Sequence, residues 1–213
     1  MLARVRLSVL DRPGMLGHLA SAIGAAGADI ARVDVLDSEA GRATDDVFIE
    51  VRNPDHLVRV CDELGTVAGV VVMGTQTPAP PSAGHAELEL LGHVLAQPNR
   101  ALETLVDGAP PALGADWAAI LRFGEDGDPK EVLAISHRSP GEDHVTLRSA
   151  LRLTTVPMTP PGRPTPYGGT ALIPLGSHPL GLVLVREEGP EFHRSELWRL
   201  GQIGDIAATV VRD

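Results

Sequence analysis

The segment Val9-Leu10-Asp11-Arg12-Pro13-Gly14-Met15-Leu16 sets the register of everything around it. Upstream, Ala3, Val5, Leu7 and Val9 alternate with Arg4, Arg6 and Ser8, the period-two pattern of a half-buried strand. Pro13 cannot donate to a sheet ladder and Gly14 tolerates a tight turn, so the strand breaks at Asp11–Gly14. Downstream, Leu16, Leu19, Ala20, Ile23 and Ala26 recur at three- and four-residue steps, which predicts a helix stopped by Gly27.

The pattern continues outward. A second strand is expected over 29–36, with Ala31, Val33 and Val35 alternating against Arg32 and Asp34. The charged, Gly41-containing stretch Asp37–Thr44 reads as a hairpin loop, and Val47, Ile49 and Val51 share a face of the strand Asp45–Val51. Asn53 can cap a helix, Pro54 suits its first position and Asp55 favours the positive end of its dipole. Leu57, Val60, Cys61 and Leu64 form the buried stripe of that helix, and an apolar strand over 67–73 completes the order βαββαβ, a ferredoxin-like unit. Phe48 points opposite to Val47 and Ile49, so it is expected to form a small apolar patch where a second copy could pair.

Residues 76–85 read Gln-Thr-Pro-Ala-Pro-Pro-Ser-Ala-Gly-His, an extended Pro-rich linker. It divides the chain into a first unit at 1–75 and a second at 86–213. The second is expected to open with a helix at Glu87–Ala96 spaced through Leu88, Leu91 and Leu95, broken at Pro98 and resumed over Asn99–Val106. Strands follow at Asp116–Phe123, Glu131–Ser136, Thr170–Leu175 and Leu180–Arg186, with a Gly127 turn between the first two. A closing helix from Arg194 buries Leu197, Leu200, Ile203, Ala207 and Val210, with Phe192 stapled against Leu197 and Glu196 in a capping-box position. His193 stands where Ser or Thr would ordinarily cap. Fold class is thus α+β throughout, with an antiparallel sheet and helices in the second unit.

The composition narrows the function. A net charge of −10 leaves neither unit with the basic footprint that phosphate backbones require, so direct nucleic-acid binding is not expected. The single cysteine, Cys61, forbids an intramolecular disulfide and a Cys-rich zinc site, and its place on an apolar helical stripe fits a small buried hydrophobe. No apolar run approaches membrane-spanning length, and residues 1–6 enter a strand pattern directly, so a soluble, cytoplasmic protein is expected.

Asp11-Arg12-Pro13-Gly14, followed by Leu16, Ile23, Gly27 and Ile30 in βαββαβ order, resembles the signature of the ACT family. The resemblance implies binding of an amino acid or similar metabolite at a homodimer interface. The site residues it implies are Asp11, Arg12, Pro13, Gly14, Met15, Leu16, Asp29 and Ile30. Independently of the family, Gly14 permits close backbone approach, the helix start offers free amides to a carboxylate, and Asp11 can accept from an ammonium group. The alternative is that Pro13 and Gly14 only make a tight turn with Asp11 capping it. More patchily, the second unit resembles a GAF domain, through Gly114-Ala115-Asp116 entering a strand, Leu180-Gly181-Leu182-Val183-Leu184, and Phe192 with Glu196 opening the last helix. That resemblance implies a pocket under Pro157–Gly169 with Tyr167 as a candidate lining residue, or else a module that only packs and dimerises.

Enzyme motifs are not found. His137 and His144 flank Glu142 and Asp143 at a spacing that suits neither a helical metal pair nor a zinc ribbon, and Gly168-Gly169-Thr170 lacks the lysine of a phosphate loop. No Gly-x-Ser-x-Gly elbow occurs. The sequence therefore predicts no catalytic residues, no metal and no cofactor. It predicts a dimeric, non-enzymatic sensor of a small effector, most naturally an amino acid, which acts on a protein partner the sequence does not identify. A dimeric adaptor that binds no metabolite is the alternative.

Overall fold

The computed structural model describes residues 1–77, 86–124, 127–139, 165–167, 169–176 and 179–210. Contacts divide the chain into one unit of Met1–Ser82 with Glu188–Pro190, and another of Ala83–Glu187 with Glu191–Asp213. The expected linker lies outside the described residues from position 78 to 85.

The first unit contains β1 (Leu2–Leu10), α1 (Met15–Ala25), β2 (Asp29–Glu39), β3 (Arg42–Glu50), α2 (Pro54–Thr66) and β4 (Val71–Gln76). The sheet order β2-β3-β1-β4 is fully antiparallel, which is the ferredoxin-like arrangement. Ala3, Val5, Leu7 and Val9 pack with Leu19, Ile23, Val60 and Leu64 in one core, as the two periodicities require. Leu7, Leu19, Ile23 and Leu64 are fully buried, each worth about 1.5–3 kcal/mol of transfer free energy.

The polar face of β1 differs from a solvated face. Arg4 and Arg6 are buried, and the Arg6 guanidinium donates through Nε and Nη2 to the two oxygens of Asp46 at 2.7 Å each. Phe48 is also buried, with the Arg32 guanidinium 4.0 Å above its ring, so it forms no exposed patch. The long loop expected at Asp37–Thr44 is instead a two-residue turn. Ala40 and Gly41 both have positive φ, 53° and 79°, the geometry that matches a hairpin's twist, so charged residues on both sides remain in strands. The last strand begins four residues later than expected, because Gly69 at φ 87° turns the chain after α2. Asn53 caps α2 by accepting from the His56 amide at 2.8 Å, while the buried His56 ring joins the Arg52 amide and the Ala26 carbonyl.

The second unit contains α3 (Ala86–Ala96), a 3-10 turn at Pro98–Arg100, α4 (Ala101–Leu113), β5 (Trp117–Phe123), β6 (Pro129–Ile135), β7 (Thr165–Tyr167), β8 (Thr170–Pro174), β9 (Leu180–Val185) and α5 (Arg194–Val210). Its antiparallel sheet has the order β6-β5-β9-β8-β7, and the three helices share a core with one face of it. This is the GAF-like arrangement of sheet and flanking helices. The buried stripe of α3 is Leu90 and Val94, whereas Leu88 and Leu95 face out, one helical face away from the expected stripe. Helix α4 continues through Pro110 and Pro111 to a left-handed Gly114, well beyond Val106.

Two buried groups join the ends of α4 and α5. Arg186 donates from Nε to the Gly114 carbonyl at 2.8 Å and from Nη2 to the Leu113 carbonyl at 2.6 Å, satisfying acceptors at the end of α4. Its Nη2 also meets Glu196 at 3.1 Å, and its plane stacks 4.0 Å over Phe192. At the start of α5, Glu196 accepts from the His193 amide at 2.8 Å, completing half of the expected capping box. His193 itself supplies the cap, since Nδ1 accepts from the Ser195 amide at 3.2 Å. An imidazole nitrogen thus does the work expected of a hydroxyl.

Candidate functional site

The loop after β1 is tied to the β2–β3 turn. The Asp11 amide donates to the Gly41 carbonyl at 2.9 Å, and the Asp11 carboxylate accepts from the Ser38 hydroxyl. Asp11, Arg12, Pro13 and Gly14 are exposed. Gly14 is the N-cap of α1 at φ 89°, and no side chain caps this helix. The Met15 amide donates to the Arg12 carbonyl at 3.3 Å and the His18 amide to the Gly14 carbonyl at 3.2 Å, which leaves the Leu16 and Gly17 amides at the helix start without acceptors among the described residues. These two donors and the positive end of the helix dipole favour negative charge at this corner.

Of the remaining expected residues, Met15 turns into the core and anchors the helix, while Leu16 is 53% exposed beside the corner. Asp29 and Ile30 are not brought to the loop. Asp29 pairs with Glu50 at one end of the sheet, whereas Ser38 and Glu39 lie at the end that holds Asp11. Nine residues of extended chain separate Asp29 from Ser38, roughly 30 Å. Within one copy, the part of β2 that borders the site is Val35–Ser38.

The sequence pattern missed Asp45. In β3 it lies on the helix-facing side with Ala43, Val47 and Ile49, opposite Leu7 of β1 and Val35 of β2. It is 6% exposed, and its Oδ1 has no hydrogen-bond partner among the described residues. Burial raises the pKa of this carboxyl above the ordinary aspartate value, and the nearby charges of Asp11 and Asp46 push in the same direction. The available signal was a carboxylate at an apolar position of the β3 alternation. Val35, across from it, is 67% exposed, which leaves the β2 side of this position open.

In the second unit, Tyr167 lies in β7, and neither its side chain nor most of the expected lid at 157–169 falls within the described residues. His144 lies outside them as well. A cleft of about 390 Å³ is found elsewhere, lined by Asp107, Pro110, Asp116, Ser136, His137 and Arg138. Its His137 contacts Asp107 at 3.4 Å through Nδ1. Among the described residues, no cluster of three or more His, Cys, Asp or Glu side chains is placed to hold a metal. Nor is any described helix long and apolar enough to cross a membrane.

The first unit is an ACT-type domain, since residues 2–73 match the family model of the ACT domain. The ACT domain of a GTP pyrophosphokinase from Chlorobium tepidum is similar at 26% identity, with a TM-score of 0.30, over 36% of this chain and 95% of that one. A second similar structure is the GAF domain of an Acinetobacter phosphoenolpyruvate-protein phosphotransferase, at 13% identity and TM-score 0.40, over 58% of this chain and 91% of that one. No curated protein matches the chain. ACT domains are, as a class, ligand-sensing regulatory modules.

Proposed function

We propose that this protein is a non-enzymatic sensor whose ACT unit binds an α-amino acid between the Asp11–Leu16 loop and the β2 edge of a second copy. The observation that carries this reading is the uncapped start of α1, where the Leu16 and Gly17 amides lack acceptors and Gly14 keeps the approach clear of any Cβ. A carboxylate complements those donors, and carboxylates at Asp11 and Asp45 complement an ammonium group a short distance away.

Support for a second copy comes from β2 being an edge strand with Val35 exposed on it. Two β2 edges running antiparallel about Val33 would set Asp29 and Ile30 of one copy against Asp37 and Leu36 of the other. Residues far apart in one chain would then share a site. The GAF-like unit relays the bound state or senses a second effector, and the output passes to a protein partner.

The test is a thermal-unfolding screen of the full chain against each proteinogenic amino acid at millimolar concentration. A ligand that binds only the folded state raises Tm, so at least one amino acid is expected to do so. No shift with any of them would favour the adaptor reading.

A further inference from the structure

We propose that Asp45 is the ammonium-recognition residue of the α1 site, so that the site accepts α-amino acids and rejects their 2-hydroxy and 2-oxo counterparts. This rests on the amino-acid reading above and assigns its selectivity to one buried group.

The contrast between two adjacent carboxylates carries the inference. Asp46 is buried on one face of β3 and receives two bonds of 2.7 Å from Arg6. Asp45 is buried on the other face, and its Oδ1 receives none from the described residues. Buried carboxylates are normally met by donors, so Asp45 is the position where the fold leaves a donor to be supplied. Two nearby cations are engaged elsewhere: Arg6 with Asp46, and Arg42 with the Ser8 hydroxyl and carbonyl and the Gly69 carbonyl.

The chemistry of the missing donor can be narrowed. Asp11 has one oxygen occupied by Ser38, and hard divalent cations need six or more oxygen ligands, so two aspartates serve a metal poorly. An ammonium group is compact, carries three donors and a full positive charge, and can divide them between Asp45 and Asp11. The exposed Val35, directly across from Asp45, marks the open side of entry. A ligand with its carboxylate on the Leu16 and Gly17 amides and its ammonium group toward Asp45 meets both halves of the site. The raised pKa of Asp45, caused by burial and by the Asp11 and Asp46 charges, is a cost that an incoming cation relieves.

The experiment uses the full chain and isothermal titration with every amino acid that shifts Tm in the screen, each beside its 2-hydroxy acid, for example L-valine against (S)-2-hydroxyisovalerate. The 2-hydroxy acid is expected to bind roughly tenfold or more weakly, as charge-assisted bonds exceed neutral ones. Asp45→Asn is expected to lose affinity for the amino acid by a similar factor and to narrow the gap between the pair. Asn matches Asp in shape and removes a buried charge, so the variant should fold; Asp45→Ser provides a second test at the same position. Equal binding of the pair by the wild type, or an unchanged gap in both variants, would overturn the assignment while leaving the amino-acid site intact. Loss of the dimer in Asp45→Asn with unchanged affinity would overturn it in favour of an interface role. Failure of every amino acid to bind the wild type would instead remove the reading on which it rests.

Discussion

The Nη2 atom of Arg186 lies 3.1 Å from the Glu196 carboxylate, with both side chains buried. The same guanidinium holds the last carbonyls of α4, and the same carboxylate holds the amide before α5. One ion pair therefore closes a helix end and opens a helix start. Removing Glu196 takes from the buried Arg186 guanidinium the carboxylate that meets it at 3.1 Å. Glu196→Ala is expected to cost about 3–5 kcal/mol, read as a loss in urea-unfolding free energy. A loss under about 1 kcal/mol would equate the pair with an exposed one.

Asp45 sets a pH dependence of opposite sign to that of an ordinary paired carboxylate. Its pKa in the folded chain is raised above the unfolded value, so folding disfavours the charged form. The penalty is fully present above the folded pKa and vanishes as pH falls below the ordinary aspartate value of 3.8. Asp45→Asn is thus expected to have a higher Tm than the wild type at pH 7, with the gap closing toward pH 3.5. A lower Tm at neutral pH would mean that the carboxylate has a stabilising partner.

Gly14 separates folding from binding. At φ 89° a side chain is strained, but nothing lies within 4 Å of the Cβ position. Gly14→Val should therefore cost only about 1–3 kcal/mol in backbone strain while placing a branched side chain over the Leu16 and Gly17 amides. Circular dichroism should remain that of the wild type and the amino-acid-induced Tm shift should disappear. A retained shift would place the site away from the α1 start.

The β2 edge makes a separate claim about assembly. Sedimentation of the wild type at micromolar concentration should give a dimer, and Val35→Lys should give a monomer of unchanged fold, because Val35 is 67% exposed in the single chain. A wild type that sediments only as monomer would remove the second copy from the site.

The frame of the first unit was legible because each strand and helix carries its own period: Ala3 to Val9 for β1, Leu19 and Ile23 for α1, Leu57 to Leu64 for α2. What escaped was set by partners distant in sequence. Asp45 and Ser38 join the candidate site only because β3 and β2 return beside the Asp11 loop, and alternation alone gives no reason for a carboxylate at position 45. Phe48 was expected to be exposed because a ring on the polar side of a strand has no local explanation, and it is covered by Arg32, sixteen residues earlier. Pro110 and Pro111 read as breakers, yet the end of α4 tolerates them where Arg186, some seventy residues later, supplies donors to the last carbonyls.

An unpaired strand edge is also a hazard, since it offers a template to any extended chain it meets. Strand β2 carries Asp29, Arg32, Asp34, Asp37 and Glu39, with Arg32 and Asp34 paired at 2.8 Å. Four carboxylates against one guanidinium repel most foreign registers and most parallel alignments of the strand with itself. The acidity that makes this edge a poor partner for stray strands limits which self-pairings can persist. An effector that brings a positive charge to that border would then act as a selective adhesive, tightening a pairing that the acidic edge otherwise keeps weak.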